Sequence, residues 1–491
     1  MGALLHPTTS LCRTCKRALP ALVEAREDRS VWLSKSCPEH GAQSVRLSTD
    51  AAWYAATRAV KPVASAPRRT PRPVHFGCPF DCGACAQHGQ KVRLPVVTIT
   101  SACNLDCPIC YVYNKNDGTW HMDVAAFRRI LQHLKDDLGE VDIVNFTGGE
   151  PFLHPEFMTF LEVARDAGVH RVTICSNGLF LAKNEPLVKR LGELGARVAL
   201  SFDTFDPQTD VVLQGSRLVE AKLRALDLTE KYNVDVTLIP VMTKGMNDHE
   251  VGAILRMAME RPNVRHVELH TITYTGQGGT HFDPSRSGRI SMVEVLDRIA
   301  ETTHGWLTRE DFVSSPCAHP LCYQIAYLLL DPDGGPPVPF TRFMPREALY
   351  ACLAERLYLE PSRALEDALQ DAMDRLWVSD EPEAERTLKI LRQLLGALFP
   401  RDRVITREEA LRAAERASKA VYVHSHMDED TFDVERLAQC CDSNCAEDGT
   451  TIPVCAYNVL YKEKEAEFMA APRSWGERSG DVKLRRLAVL A

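Results

Sequence analysis

From about residue 95 to residue 305 the chain alternates short β-branched apolar runs with longer segments of helical spacing. Residues 96–100, 141–146, 172–175, 197–202, 234–241 and 264–271 read as strands. Residues 123–138, 156–167, 218–232 and 250–260 carry the apolar rhythm of amphipathic helices. Six such βα units predict a parallel sheet with right-handed crossovers. Periodicity alone admits a doubly wound sheet as well as a partial barrel. In either, chemistry belongs at the C-terminal ends of the strands.

The flanks read differently. Alternating runs at 30–33 and 44–47 predict a small ribbon within residues 1–60, and the Pro-rich basic stretch 62–73 reads as an extended linker within 61–94. The barrel pattern fills 95–305. Residues 306–491 are expected as a helical and cysteine-rich region, with helices at 385–399 and 407–421, a strand-like run at 454–460 and a polar tail. No repeat beyond the βα alternation is evident.

Of 491 residues, 45% are hydrophobic and 25% charged, the profile of a soluble globular chain of several domains. A net charge of -8 gives no electrostatic case for nucleic-acid binding. No uncharged run is long enough to span a bilayer, and the N-terminus lacks a signal peptide's basic and apolar regions, so a cytoplasmic location is expected.

Seventeen cysteines are many for a reducing compartment, and clustered cysteines there read as metal ligands. Cys103, Cys107 and Cys110 stand at C-x3-C-x2-C spacing directly after a predicted strand. Three thiolates leave a four-iron cluster one ligand short, so one iron can hold a small molecule. A zinc knuckle is the alternative, but such sites usually end with four protein ligands. Cys12, Cys15 and Cys37 form a second group, with His40 as a candidate fourth ligand, and thiolates there suit iron or zinc. Cys78, Cys82 and Cys85 repeat the C-x3-C-x2-C spacing and suggest an auxiliary cluster. Cys317, Cys322, Cys440, Cys441, Cys445 and Cys455 lie late in the chain. Together with the first two non-catalytic groups they make twelve, enough for one mononuclear site and two fully ligated four-iron clusters. Cys175 and Cys352 stand alone and read as small buried apolar residues.

Gly148-Gly149-Glu150 follows the second predicted barrel strand, Ser176-Asn177 the third, and Ser201 and Asp203 the fourth. Paired glycines let a ligand approach the backbone, and a carboxylate can pair with an ammonium. Ser-Asn-Gly and Ser-x-Asp are also ordinary turn and cap sequences.

The cysteine triplet and the GGE turn resemble the radical S-adenosylmethionine (SAM) superfamily. Ile109 precedes the third cysteine, where that family often has an aromatic. The order of an N-terminal C-x2-C with CPEHG, then GCPFDCGAC, the triplet and a late Cys-Ala-Tyr-Asn is similar to the archaeal tetraether synthase group, also described as class D radical SAM methylases. The resemblance implies a partial (β/α)6 barrel whose catalytic cluster sits on Cys103, Cys107 and Cys110. It implies SAM bound by Gly148, Gly149, Glu150, Ser176, Asn177, Ser201 and Asp203. It further implies auxiliary [4Fe–4S] clusters, one mononuclear iron or zinc, and an electron donor such as flavodoxin or ferredoxin. The implied chemistry is reductive cleavage of SAM and C–C bond formation or alkylation at an unactivated carbon of a lipid or small molecule. A SPASM-type peptide maturase and a non-catalytic iron–sulfur electron carrier are the competing readings.

Overall fold

The computed structural model describes residues 3–461, apart from 71, 113–118, 281, 355–357, 360, 381–382 and 401–402. The polar tail lies outside the described residues. At the N-terminus, strands β1 (Ala3–Leu11), β2 (Ala18–Ala25), β3 (Val31–Cys37) and β4 (Gly41–Ser48) form an antiparallel ribbon in chain order. Ala21, Val23, Val31, Leu33 and Val45 close one face of it over Tyr54 of the helix Ala51–Ala59. Asp50 caps that helix by accepting from the Ala52 and Trp53 amides.

The main sheet begins with β5 (Leu94–Thr100), β6 (Ile143–Gly148), β7 (Arg171–Ser176), β8 (Arg197–Ser201), β9 (Asp235–Ile239), the two-residue β10 (Val241–Met242) and β11 (Val264–Thr271). Strands β5, β6, β7, β8, β9 and β11 lie side by side and parallel, in sequence order, as the six predicted βα units require. Helices Val124–Leu138, Phe157–Asp166, Val219–Lys231 and Val251–Glu260 cover the outer face. Val97, Ile99, Phe127, Phe146, Phe160 and Ile174 are part of the core between them.

The C-terminal part is more than a helical annex. It supplies β12 (Val313–Ser314), β13 (Tyr323–Leu329), β14 (Val338–Pro339), β15 (Ser418–His424), β16 (Asp442–Cys445) and β17 (Thr451–Pro453) to the same sheet. The order is β12-β13-β15-β11-β9-β8-β7-β6-β5-β16-β17, so late strands extend both flanks of the six. Two expectations are corrected here. The helix expected to run to 421 ends at Ala417, and the next seven residues form β15. Ala420, Val421 and Val423 are fully buried there, so packing within the sheet outweighs the helical pattern. The strand expected at 454–460 is a short helix, Val454–Ala456, followed by a π-turn, Tyr457–Tyr461. Nearly all of that run is buried, and a short buried apolar run has no periodicity to separate strand from helix.

The flanks of the sheet meet through side chains. The Tyr323 hydroxyl on β13 donates to the Asp442 carboxylate on β16, and His424 Nε2 on β15 stands 3.9 Å from the same carboxylate. These strands are far apart in the strand order, so the sheet curls until its flanks touch around a central cavity. Burial pushes the Asp442 carboxyl up and the Tyr323 phenol well up, which makes this a costly bond to break. We expect Tyr323→Phe to leave Asp442 short of its donor and to cost about 1–3 kcal/mol, read as a fall in thermal midpoint. Tyr327→Phe, which removes a hydroxyl 3.0 Å from that of Tyr422, serves as the control and should cost about 0.5–1.5 kcal/mol.

Candidate active site and metal centres

The cavity holds about 1630 Å³ of empty space, counting its open mouth. Cys103, Cys107 and Cys110 line it on the loop after β5. That loop rests on the turn after β6. Gly149 N donates to Thr100 O at 2.9 Å and Glu150 N to Ala102 O at 2.7 Å. A Cβ on Gly148 would lie 2.0 Å from the Thr100 carbonyl oxygen, and one on Gly149 would lie 2.1 Å from that of Ala102. Gly148 also has φ +141°, a conformation that side chains disfavour. The glycines therefore make room first for the cysteine loop, where the sequence suggested room for a ligand.

Glu150 is fully buried beneath this turn. Its carboxylate accepts from Asn177 N at 2.9 Å, Ser176 Oγ at 3.2 Å and Phe152 N at 3.4 Å. Burial still outweighs these bonds and pushes the carboxyl up to about 7. A buried carboxylate so placed needs a cationic partner. Ser176, Asn177 and Ser201 line the cavity with the glycines. Asp203 does not belong with them. Its oxygens accept from Ser201 Oγ at 3.2 Å, Gln214 Nε2 at 2.5 Å and Val241 N at 2.8 Å, and the buried Lys222 ammonium lies 3.7 Å away. It acts instead behind the loop, because Gln214 Oε1 also accepts from Cys107 Sγ at 3.1 Å.

The three loop thiols suit a cluster chemically. Burial pushes Cys103 up to about 12, and burial with the neighbouring Cys110 and Cys103 thiols raises Cys107 further. Thiolates packed together in so dry a place are stable only around positive charge, as iron supplies.

In the ribbon, Cys12, Cys15, Cys37 and His40 bring four ligand atoms within 4.8 Å of one another. Burial opposes ionisation of Cys12, but hydrogen bonds from the Cys15 backbone and Gln43 prevail and bring its thiol down to about 6. This is a four-ligand N/S site of the structural zinc type. Cys78, Cys82 and Cys85 share a second cavity with Ser443, Thr451 and Pro453 of the β16–β17 hairpin. Cys445 pairs with Thr451 in that hairpin, two residues from Ser443, so strand alternation puts it on the same face. Cys440 is pushed well up by burial and then by Asp442, Cys455 and Cys322, which groups these three thiols. The Arg436 guanidinium lies 3.5 Å from Cys322 Sγ. Cys441 is raised by burial and, among its neighbours, by Cys440 and Cys317. None of the seventeen cysteines forms a disulfide.

Sequence reasoning missed the opposite wall of the cavity. Glu268, His270, Tyr323, His424, His426 and Asp442 all line it. The pairs Glu268-x-His270 and His424-x-His426 carried a signal, because period-two spacing puts each pair on one face of a strand.

The sequence pattern of the Radical SAM superfamily matches residues 97–258, which hold the cysteine loop, the GGE turn and the strand ends around the cavity. Those residues are a radical SAM domain. The chain is a radical SAM enzyme, and that domain implies a [4Fe–4S] cluster and SAM. The pattern described as HMPTM N-terminal zinc ribbon domain matches residues 4–49. The chain is 27% identical to 7,8-dihydro-6-hydroxymethylpterin dimethyltransferase of Methanocaldococcus jannaschii, over 95% of this chain and 96% of that protein. It is 31% identical to GTP 3',8-cyclase of Chlorobaculum tepidum over 38% of this chain and 58% of the cyclase. Among solved structures, Streptococcus suis SuiB matches 44% of this chain and 46% of its own, at 18% identity and a TM-score of 0.35. Among the described residues of this radical SAM chain, no helix is long and apolar enough to cross a membrane.

The raised Glu150 carboxyl gives a pH test. Its folded value of about 7 lies above the ordinary 4.5, so the cost of burying the charge is absent below about pH 4.5, grows as pH rises, and is complete above about pH 7. Glu150→Gln should therefore raise the thermal midpoint of SAM-free protein near pH 8 and leave it nearly unchanged near pH 5, by at most about 3 kcal/mol. The same variant should bind SAM more weakly, measured by calorimetry on cluster-loaded protein.

Proposed function

We propose that this radical SAM enzyme transfers methyl or alkyl carbon to an unactivated carbon of a small, polar, heteroaromatic substrate of the reduced-pterin kind. The observation that carries the reading is the likeness to the pterin dimethyltransferase, which covers 95% of this chain and 96% of that protein. The cavity supports it. Its wall carries Glu268, Asp442, three histidines and Tyr323, a polar lining that suits ring nitrogens, amino groups and carbonyls better than a lipid chain.

In this reading Cys103, Cys107 and Cys110 hold the catalytic cluster. Glu150 takes the amino group of SAM, with Gly148, Gly149, Ser176, Asn177 and Ser201 around the rest of the molecule. A bound cluster would supply the electron for reductive cleavage of SAM. The cavity walls exclude water and would hold the substrate beside the SAM site. Lys222, Asp203 and Gln214 fix the Cys107 side chain from behind. Cys78, Cys82, Cys85 and Cys445 hold one auxiliary cluster, and Cys322, Cys440 and Cys455 contribute to another. The ribbon holds zinc or iron through Cys12, Cys15, Cys37 and His40. Electrons come from a flavodoxin- or ferredoxin-type donor in the cytoplasm, where thiols stay reduced.

Anaerobically reconstituted protein, given excess SAM with 7,8-dihydro-6-hydroxymethylpterin and a reductant that supplies one electron for each SAM consumed, should convert one SAM to methionine and 5'-deoxyadenosine, take a methyl group from a second to leave S-adenosylhomocysteine, and so yield a pterin heavier by one or two methyl groups. Replacing Cys103, Cys107 and Cys110 by alanine should remove about four irons per chain and abolish 5'-deoxyadenosine. Cys445→Ala should preserve SAM cleavage and lose the methylated product. Unchanged iron in the triple variant would overturn the cluster assignment, and full methylation by Cys445→Ala would overturn the auxiliary one.

A further inference from the structure

We propose that His270, His424 and His426 bind a divalent first-row transition-metal ion in the wall of the active-site cavity, apart from the cysteine sites. Each imidazole offers one ligand atom, and these atoms all lie within 4.8 Å of one another. The ring centroids of His270 stand 5.1 Å from those of His424 and His426, and His424 and His426 are 4.0 Å apart. The backbone builds this convergence. His270 and His424 are register partners on the adjacent parallel strands β11 and β15. His426 lies two residues beyond the end of β15, where its ring meets those of His270 and His424.

The surroundings fit a metal better than a packing cluster. Glu268 Oε1 lies 2.9 Å from His424 Nδ1 and 3.1 Å from His270 Nε2. A carboxylate that holds one nitrogen of an imidazole fixes its tautomer and leaves the other lone pair for a metal, the usual outer arrangement of histidine–metal sites. His270 Nε2 is buried, and its geometry with the Glu268 carboxylate 3.1 Å away falls short of a hydrogen bond. With that carboxylate beside Nε2 of His270 and Nδ1 of His424, the opposite ring nitrogens are the ones left to bind a shared cation. Imidazole with carboxylate suits zinc, iron, cobalt or nickel in the divalent state. Three protein ligands leave a coordination position open, and here it would open on the cavity. There an ion could polarise a carbonyl or ring nitrogen of a substrate as a Lewis acid. The site does not depend on which substrate is used.

One alternative shares the geometry. Cys455 Sγ lies 3.7 Å from His426 Nδ1, so His426 could instead be a ligand of the cluster on Cys322, Cys440 and Cys455. The test uses the full chain with its clusters reconstituted anaerobically. The protein is incubated with Co2+, desalted, and its cobalt and iron are counted. Wild type should retain one more equivalent of cobalt than His270→Ala/His426→Ala, with cluster iron equal in the two. His424→Gln, which preserves volume, should weaken cobalt retention at least tenfold on dilution. Cys12→Ser/Cys37→Ser, which removes the ribbon site, should keep the histidine equivalent. Equal cobalt in wild type and both histidine variants would overturn the proposal. So would loss of about four irons in place of one cobalt, which would give His426 to the cluster.

Discussion

The active centre depends on a contact with no slack in it. The backbone of Thr100 to Ala102 lies against Gly148 and Gly149 so closely that a Cβ on either would sit about 2 Å from a carbonyl oxygen. Two hydrogen bonds bind the turn to the loop across this contact. The buried carboxylate of Glu150 is thereby held near the cysteine loop, on the side of Cys103. Protein interiors accommodate such overlap only by moving backbone. The spacing between the cysteine loop and Glu150 is thus fixed by two missing side chains.

Around this point the chain concentrates buried charge and reactive sulfur that are unstable in isolation. Glu150 is raised to about 7 and Cys103 to about 12, both chiefly by burial. In the proposed reading each group gains a cation from its ligand, an ammonium for the carboxylate and iron for the thiolate. Cys107 is treated differently. The relay through Gln214, Asp203 and Lys222 holds it in place and brings a buried cation nearby. The curled sheet supplies the enclosure, with Tyr323 and Asp442 joining flanks that strand pairing leaves apart.

Much of this was legible in the sequence, because the signals were local. Cysteine spacing, the GGE turn and six strand–helix alternations each lie within a short window, and the matching structure is built within that window. The glycine pair was read correctly as a close approach, but the approaching group is backbone from the cysteine loop. Asp203 shows the limit of such signals, because Ser-x-Asp after a strand looks the same whether the carboxylate faces a ligand or, as here, has a lysine beside it. The C-terminal strands escaped notice for a different reason. β15 and β16 gain their identity from pairing with β11 and β5, which lie far away in sequence. A segment such as 418–424 continues a helical pattern until those partners claim it. The histidine wall was hidden likewise, since its two same-face pairs become a cluster only when β11 and β15 lie side by side.

The central claim is that three cysteines leave one iron open and that the turn at Glu150 presents SAM to it. Electron paramagnetic resonance of the reduced, cluster-loaded protein, with SAM labelled by nitrogen-15 at its amino group, tests this most directly. The account predicts that SAM changes the cluster signal and that pulsed measurement finds hyperfine coupling to the labelled nitrogen. A signal unaltered by saturating SAM, with no nitrogen-15 coupling, would contradict it.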